Sequence, residues 1–296
     1  MSGDRFPYRV RSVGDLPEPL RPVLVRETDR GTCTYALVAP PFAPTPVYRG
    51  SPPPSYLLMI FDDRLSVASL SHFAEVDTTD VPFDELVCVE LRVLLLYSWM
   101  KLVFGRVHAT ELVIPFNTVG LAVFRDVVAL IRRAVDVPGR AARTPAVLPQ
   151  EIPFKFRTAL EGWLEIGEVP SSLAFQPEVR APRFRLFRVL PLFERQVVPP
   201  LLAVLTNREL LLIAEERMHG RAHLERYGEV FTYCPLSRVD TMTIRPRDDA
   251  SDLRDLRLDL AVAHGHHRID AVVTAARVPE FERLGRLAVC QPEKAP

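Results

Sequence analysis

The chain has 296 residues, 48% hydrophobic and 25% charged, which is enough apolar material for two cores and argues against a disordered polymer. Its 37 basic and 37 acidic side chains cancel, overall and within each half. That balance removes the long-range attraction to phosphate behind non-specific nucleic-acid binding, and any global pull toward an anionic membrane.

Met1 to Val13 alternates arginine with apolar residues and lacks the apolar core of a signal peptide. The most apolar run, Leu91 to Phe104, carries Arg92 and Lys101 and is shorter than the roughly 20 residues that span a bilayer. A cytoplasmic protein is expected. Residues 1–30 allow at most a short helix, because Pro17, Pro19 and Pro22 interrupt it. Thr32 to Ala39 alternates as a strand, and Pro40 to Pro54 must be extended loop or edge strand. Tyr56 to Ser69 predicts a hairpin about Asp62-Asp63. Further strands are expected at Leu86 to Leu91, Val93 to Met100 and Glu111 to Phe116. Leu94, Leu95 and Leu96 leave no polar face, so the strand holding Trp99 and Met100 should be covered on both sides, with the other half of the chain as its cover. Val119 to Val135 is a helix, with Leu121, Phe124, Val128, Ile131 and Val135 on one face. The proline- and glycine-bearing stretch from Asp136 to Pro149 reads as a linker.

The second half opens with a helix from about Phe154 to Ile166. Strands are expected at Phe184 to Val189, Gln196 to Leu205, Leu210 to Ala214, Val230 to Tyr233, Val239 to Ile244, Leu256 to Val262 and Arg268 to Val273. A helix from Pro279 to about Val289 closes it, burying Phe281, Leu284 and Leu287.

The two halves repeat each other. Asp15-Leu16-Pro17 answers Glu151-Ile152-Pro153, and Leu20 and Leu24 answer Phe156 and Leu160. The hairpin text Leu57 to Val67 answers Leu202 to Leu212, and a proline step recurs at Pro82 to Leu86 and Pro235 to Val239. The spacing drifts one way, from 136 to 157, as loop insertions in the second copy would produce. Two similar β-rich domains of about 1–140 and 150–296 are expected, joined by a linker of about 136–153.

The hairpin Ala203-Val204-Leu205-Thr206-Asn207-Arg208-Glu209-Leu210-Leu211-Leu212 resembles that of bacterial pleckstrin-homology-like and GRAM domains. In the first half Ile60-Phe61-Asp62-Asp63-Arg64-Leu65 departs from it, with Phe61 in place of the threonine. The resemblance implies a mainly β fold with capping helices: two similar β-sandwich or barrel domains, each ending in an α-helix anchored at Phe124 or Phe281. It also implies that basic residues on early strands could grip inositol phosphates. Arg183, Arg185 and Arg188 are the candidates, Arg183 and Arg185 being two apart and so on one strand face.

Other chemistry is sparse. Cys33, Cys88, Cys234 and Cys290 are scattered without Cys-x-x-Cys spacing, which argues against disulfide scaffolding or zinc. No Walker loop, nucleotide-binding glycine motif, nucleophile elbow or His-Glu-x-x-His is present, so a non-catalytic protein without cofactor is expected. His264, His266 and His267 could ligate a metal, but a polar hairpin tip turned by Gly265 is the favoured reading. Between Asp62 and Glu90 stand Asp62, Asp63, Glu75, Asp77, Asp80, Asp84, Glu85 and Glu90, against Arg64 alone. They are either a docking surface for a basic partner or solvated turns. The expected function is protein–protein binding, with peripheral attachment to an anionic membrane as the alternative and a metal-dependent enzyme as the third.

Overall fold

Short apolar runs separated by proline and paired acidic residues are the text of antiparallel strands. The computed structural model describes residues 6–42, 53–135, 146, 148–165, 167–186, 190–218, 226–248 and 250–289. It is mainly β, with several antiparallel sheets and a few helices, and among the described residues no sheet closes on itself into a barrel. The chain divides into two compact units, Met1–Asp136 and Val137–Pro296. The predicted linker lies largely outside the described residues.

The first unit opens with β1 (Tyr8–Arg9) and helix α1 (Arg21–Asp29), whose Pro22 stands in the first turn, where a missing N–H costs nothing. Next come β2 (Tyr35–Ala39), β3 (Ser55–Ile60), β4 (Arg64–Leu70) and β5 (Val76–Pro82). With β1 they form a five-stranded antiparallel sheet in sequence order. A 3-10 turn at Phe83–Glu85 leads into β6 (Leu86–Val93), β7 (Tyr97–Phe104) and β8 (Thr110–Asn117), paired in that order. Helix α2 (Leu121–Ala134) closes the unit.

Every residue of β2 is buried, so at this strand the sheet is covered on both faces. On one face Ala36, Val38, Leu57, Met59 and Ala68 pack with Leu20, Val23 and Leu24 from the α1 segment. Residues that alternate with these belong to the other face, where α2 makes its cover. There the Tyr35 hydroxyl lies 3.4 Å from Asp126 Oδ2 and 3.5 Å from the Val123 carbonyl. Phe124 stacks on Phe116 at 3.7 Å between ring centroids. A charged seam fixes α1. The Glu27 side chain is wholly buried and meets Arg26 at 3.0 Å, Arg30 at 2.7 Å and Arg64 at 3.8 Å. Arg64 stacks over the Phe61 ring at 4.2 Å, and Arg30 reaches Asp80 at 3.2 Å.

The single strand expected over Val93 to Met100 does not form. Leu95 and Leu96 are the two-residue turn between β6 and β7, closed by a bond from the Leu94 N–H to the Tyr97 carbonyl, and they are 80% and 65% exposed. Only Leu94 turns inward. The triplet therefore calls for no second covering layer; a continuous apolar run does not by itself separate strand from turn.

The second unit begins with α3 (Phe154–Trp163) and β9 (Pro170–Gln176). A separate hairpin of β10 (Val179–Leu186) and β11 (Leu190–Val198) follows, then β12 (Leu201–Thr206), β13 (Glu209–Met218) and β14 (Arg226–Pro235). Strands β9, β12, β13 and β14 pair in that order. After a 3-10 turn at Leu236–Arg238, β15 (Val239–Arg247), β16 (Ala250–Val262) and β17 (Gly265–Thr274) make a three-stranded sheet, and α4 (Val278–Val289) ends the unit. All six residues of β12 are buried. Helix α3 covers one face, Phe156 meeting Phe175 edge-on at 5.5 Å and Trp163 lying 4.8 Å from Phe231. At the corner, buried Gln176 accepts through Oε1 from the Thr274 N–H at 2.7 Å, tying the end of β9 to the end of β17. The strand expected from Gln196 to Leu205 is two strands, divided at Pro199-Pro200, and β5 and β9 were not foreseen. Phe184 to Leu186 belong to β10.

Replacing Glu27 by alanine leaves the largely buried Arg64 and its neighbours short of a counter-charge, and is expected to cost about 3 kcal/mol in denaturant unfolding. Burial, then the Asp126 charge, pushes the Tyr35 phenol from 10.0 up to about 12. The neutral phenol is thus favoured by folding. Its contribution is complete below pH 10 and is lost as pH rises toward 12, a fall that Tyr35→Phe should flatten in alkaline titrations of stability.

Candidate partner-binding surfaces

The acidic segment proves largely neutralised within its own unit. Asp63 pairs with Arg64 at 3.0 Å and Asp80 with Arg30 at 3.2 Å. Arg106 bridges Asp84 at 3.2 Å and Glu85 at 2.7 Å, while Glu90 sits between Arg92 at 3.1 Å and Lys101 at 3.4 Å. Five of the eight acidic side chains named from the sequence thus have a basic neighbour within the unit. The reason is topological, since α1 and the β7–β8 turn bring cations that are distant in sequence.

Asp62, Glu75 and Asp77 are exposed and have no ion pair among the described residues. Asp62 lies at the β3–β4 turn. Glu75 and Asp77 lie at the opposite end of β4, where the β4–β5 turn carries Phe73 at 74% exposure. An open cleft of about 460 Å³ runs between this turn and Pro54. The register sets Ser69 opposite Asp77, so both side chains leave the sheet on one face. Ala74, next to Phe73, takes φ 63°, in the left-handed region that tight turns use. An aromatic residue inside Ser71-His72-Phe73-Ala74-Glu75, with no apolar neighbour at strand spacing, is the signal that marks this turn in the sequence.

Arg183 and Arg185 lie on β10, and Arg188 lies outside the described residues. Register shifts flank Phe184, between Pro182 and Phe184 and again between Phe184 and Arg185. The hairpin also stands outside the four-stranded sheet rather than forming one of its strands.

The histidine segment is a hairpin end, but Gly265 does not make the turn. Ala263 and His264 make it, and Gly265 already pairs with Val262. His266 stands opposite Ala261 and His267 opposite Leu260, so the two rings project from opposite faces and cannot share an ion. His266 Nδ1 lies 3.4 Å from Asp240 Oδ2, an acidic neighbour that only the fold supplies. Among the described residues no group of three or more His, Cys, Asp or Glu side chains is placed to hold a metal.

Two other titratable positions are structural in their surroundings. Burial raises the Cys33 thiol, whose sulfur bonds the Tyr35 carbonyl at 3.3 Å. Burial also raises Glu229, against the pull of Lys155, which pairs with Glu215 on the neighbouring strand. No family model matches the chain, and no curated protein matches it.

Substituting His264, His266 and His267 together is expected to shift stability by less than about 0.5 kcal/mol, as exposed turn changes usually do. Stoichiometric metal retained by the wild type after dialysis, measured by elemental analysis, would refute this.

Proposed function

We propose that the chain is a non-catalytic binding protein built from two pleckstrin-homology-like domains and that it takes another protein as partner. The observation that carries the domain reading is a set of bonds repeated 136 residues apart. Arg21 Nε donates to the Leu16 carbonyl at 3.0 Å, and Arg157 Nε to the Ile152 carbonyl at 2.8 Å. The outer nitrogens reach Gly14 at 3.5 Å and Gln150 at 2.5 Å. The Leu20 N–H bonds the Pro17 carbonyl at 2.9 Å, and Phe156 bonds Pro153 at 3.0 Å. Such side-chain-to-backbone geometry is specific in a way that apolar spacing is not.

Binding to a protein is supported by what each domain leaves accessible. Strands β2 and β12 are buried on both faces, so recognition falls to edge strands and hairpin ends, and edges recognise extended peptides by adding a strand. A second reading, peripheral attachment to anionic membranes, is favoured by the separate β10–β11 hairpin bearing Arg183 and Arg185. Even with Arg188 of the sequence counted, three arginines would supply at most roughly 3 kcal/mol, so such attachment would be transient.

Affinity capture with the full chain from its native cells should retain a stoichiometric protein partner, identified by mass spectrometry. Salt-sensitive co-sedimentation with anionic vesicles, lost on reversing Arg183, Arg185 and Arg188, would promote the membrane reading instead. For the duplication, Arg21→Ala and Arg157→Ala should each lower stability by about 1 kcal/mol, a matched pair of losses measurable by denaturation.

A further inference from the structure

We infer that the cleft at the β4–β5 end of the first unit receives a lysine or arginine of an extended basic segment of a partner protein, whose backbone lies along β5. The inference rests on the protein-binding reading above and names the chemistry of the partner.

Cation recognition follows from the walls of the cleft. Phe73 is 74% exposed in a turn, with its ring 3.7 Å from that of His72, and so it offers an aromatic surface to a guanidinium or ammonium. Glu75 stands beside it at the end of the turn, and Asp77 on the strand that follows. Other carboxylates of the same acidic segment, Asp63, Asp80, Asp84, Glu85 and Glu90, each meet an arginine or lysine of the first unit. These two do not, among the described residues. Carboxylates held apart from the unit's own cations, against an exposed ring, form a pocket for a cation supplied from outside. Ser69 also lines the cleft and adds a hydroxyl acceptor, while the Ser71 hydroxyl is taken up by the Phe73 and Glu75 N–H groups at 3.3 and 3.2 Å and so holds the turn in shape.

The extended backbone follows from β5 itself. It is the last strand of its sheet and pairs with β4 alone among the described residues, so one row of its N–H and C=O groups faces away from the sheet. Asp77 and Asp80 on that strand disfavour a neutral or acidic strand as neighbour and favour a basic one. An added strand with basic residues at alternate positions would set one cation at Asp77 and the next toward Glu75 and Phe73, because side chains two apart share a face. Arg26 and Arg30 reach Thr78 at 3.2 Å and Asp80 at 3.2 Å from the α1 side, which directs the incoming cation to the opposite face, where the cleft opens.

The test uses the full chain and two fluorescent octapeptides, one alternating lysine with valine and one alternating glutamate with valine, followed by polarisation and by amide exchange. The lysine peptide should bind, weaken with salt, and protect β5 amides, while the glutamate peptide should not bind. Glu75→Gln with Asp77→Asn, and separately Phe73→Ala, should each weaken the lysine peptide at least about tenfold. Asp62→Asn, at the other end of β4, should leave it unchanged. Equal binding by the double variant, or protection on another strand, overturns the cleft while leaving the protein-binding reading standing. No binding of the lysine peptide also overturns the cleft, and the capture experiment then decides the broader reading separately. Competition by free lysine amide as strong as by the peptide overturns the strand addition.

Discussion

A sheet buried on both faces must be covered twice, and that requirement organises both units. In β2 and β12 every residue is buried, which erases the polar–apolar alternation of a half-exposed strand. One cover must come from before the sheet in sequence and one from after it. The first is the helix that follows Pro17 or Pro153, and α2 or α4 is part of the second. Apolar burial drives both covers home but is non-directional. Directional groups have to fix how each helix sits: Arg21 and Arg157 bind the carbonyls of the preceding loop, while Tyr35 and Gln176 fasten the closing elements.

The units meet the same requirement with different chemistry at positions 136 apart. Glu27 ends α1 in a ring of arginines, whereas Trp163 ends α3 against Phe231 and Tyr233. A buried ion pair gains little over a well-packed apolar contact, because desolvation offsets most of the Coulomb attraction. Its effect is on specificity. Glu27, Arg64 and Asp80 hold α1, the β3–β4 turn and β5 in one arrangement, and a slip of the helix by one turn would strand a buried charge. The aromatic version in the second unit tolerates small displacements more readily, since ring contacts vary smoothly with position.

Elements whose residues face one core were legible in the sequence. The hairpin at Asp62-Asp63 and the helices holding Phe124 and Phe281 fall where turn chemistry and helical spacing put them. Strand β5 was hidden because Val76-Asp77-Thr78-Thr79-Asp80 is polar and, among the described residues, pairs on one side only. Strand β9 was hidden behind Pro170 and two serines, with its apolar part only three residues long. Leu94 to Leu96 misled in the opposite sense, an apolar triplet that is mostly turn. The acidic segment showed its composition but not its partners, because Arg30 and Arg106 reach it only through the fold. The repeated arginine was legible all along, in Asp-Leu-Pro-x-x-Leu-Arg and Glu-Ile-Pro-x-x-Phe-Arg, yet spacing alone gives no reason to attach a bond to it.

Covering both faces of a sheet also decides where variation is cheap. A side chain in β2 or β12 has neighbours in two layers, so changing it disturbs two sets of contacts. Hairpin ends have none of these obligations, and their side chains can be chosen for what lies outside the molecule. The exposed apolar residues at turns fit that division: Phe73 between β4 and β5, Leu95 and Leu96 between β6 and β7, and Val107 between β7 and β8. The backbone bonds at Ser71–Glu75 and Leu94–Tyr97, with the Ser71 hydroxyl in the first, close two of these turns without using the apolar side chains. Single exposed apolar side chains are ordinary on a protein surface and cost the fold little. Beside Phe73 stand Glu75 and Asp77, which have no ion pair among the described residues, so this turn combines an exposed ring with uncompensated charge.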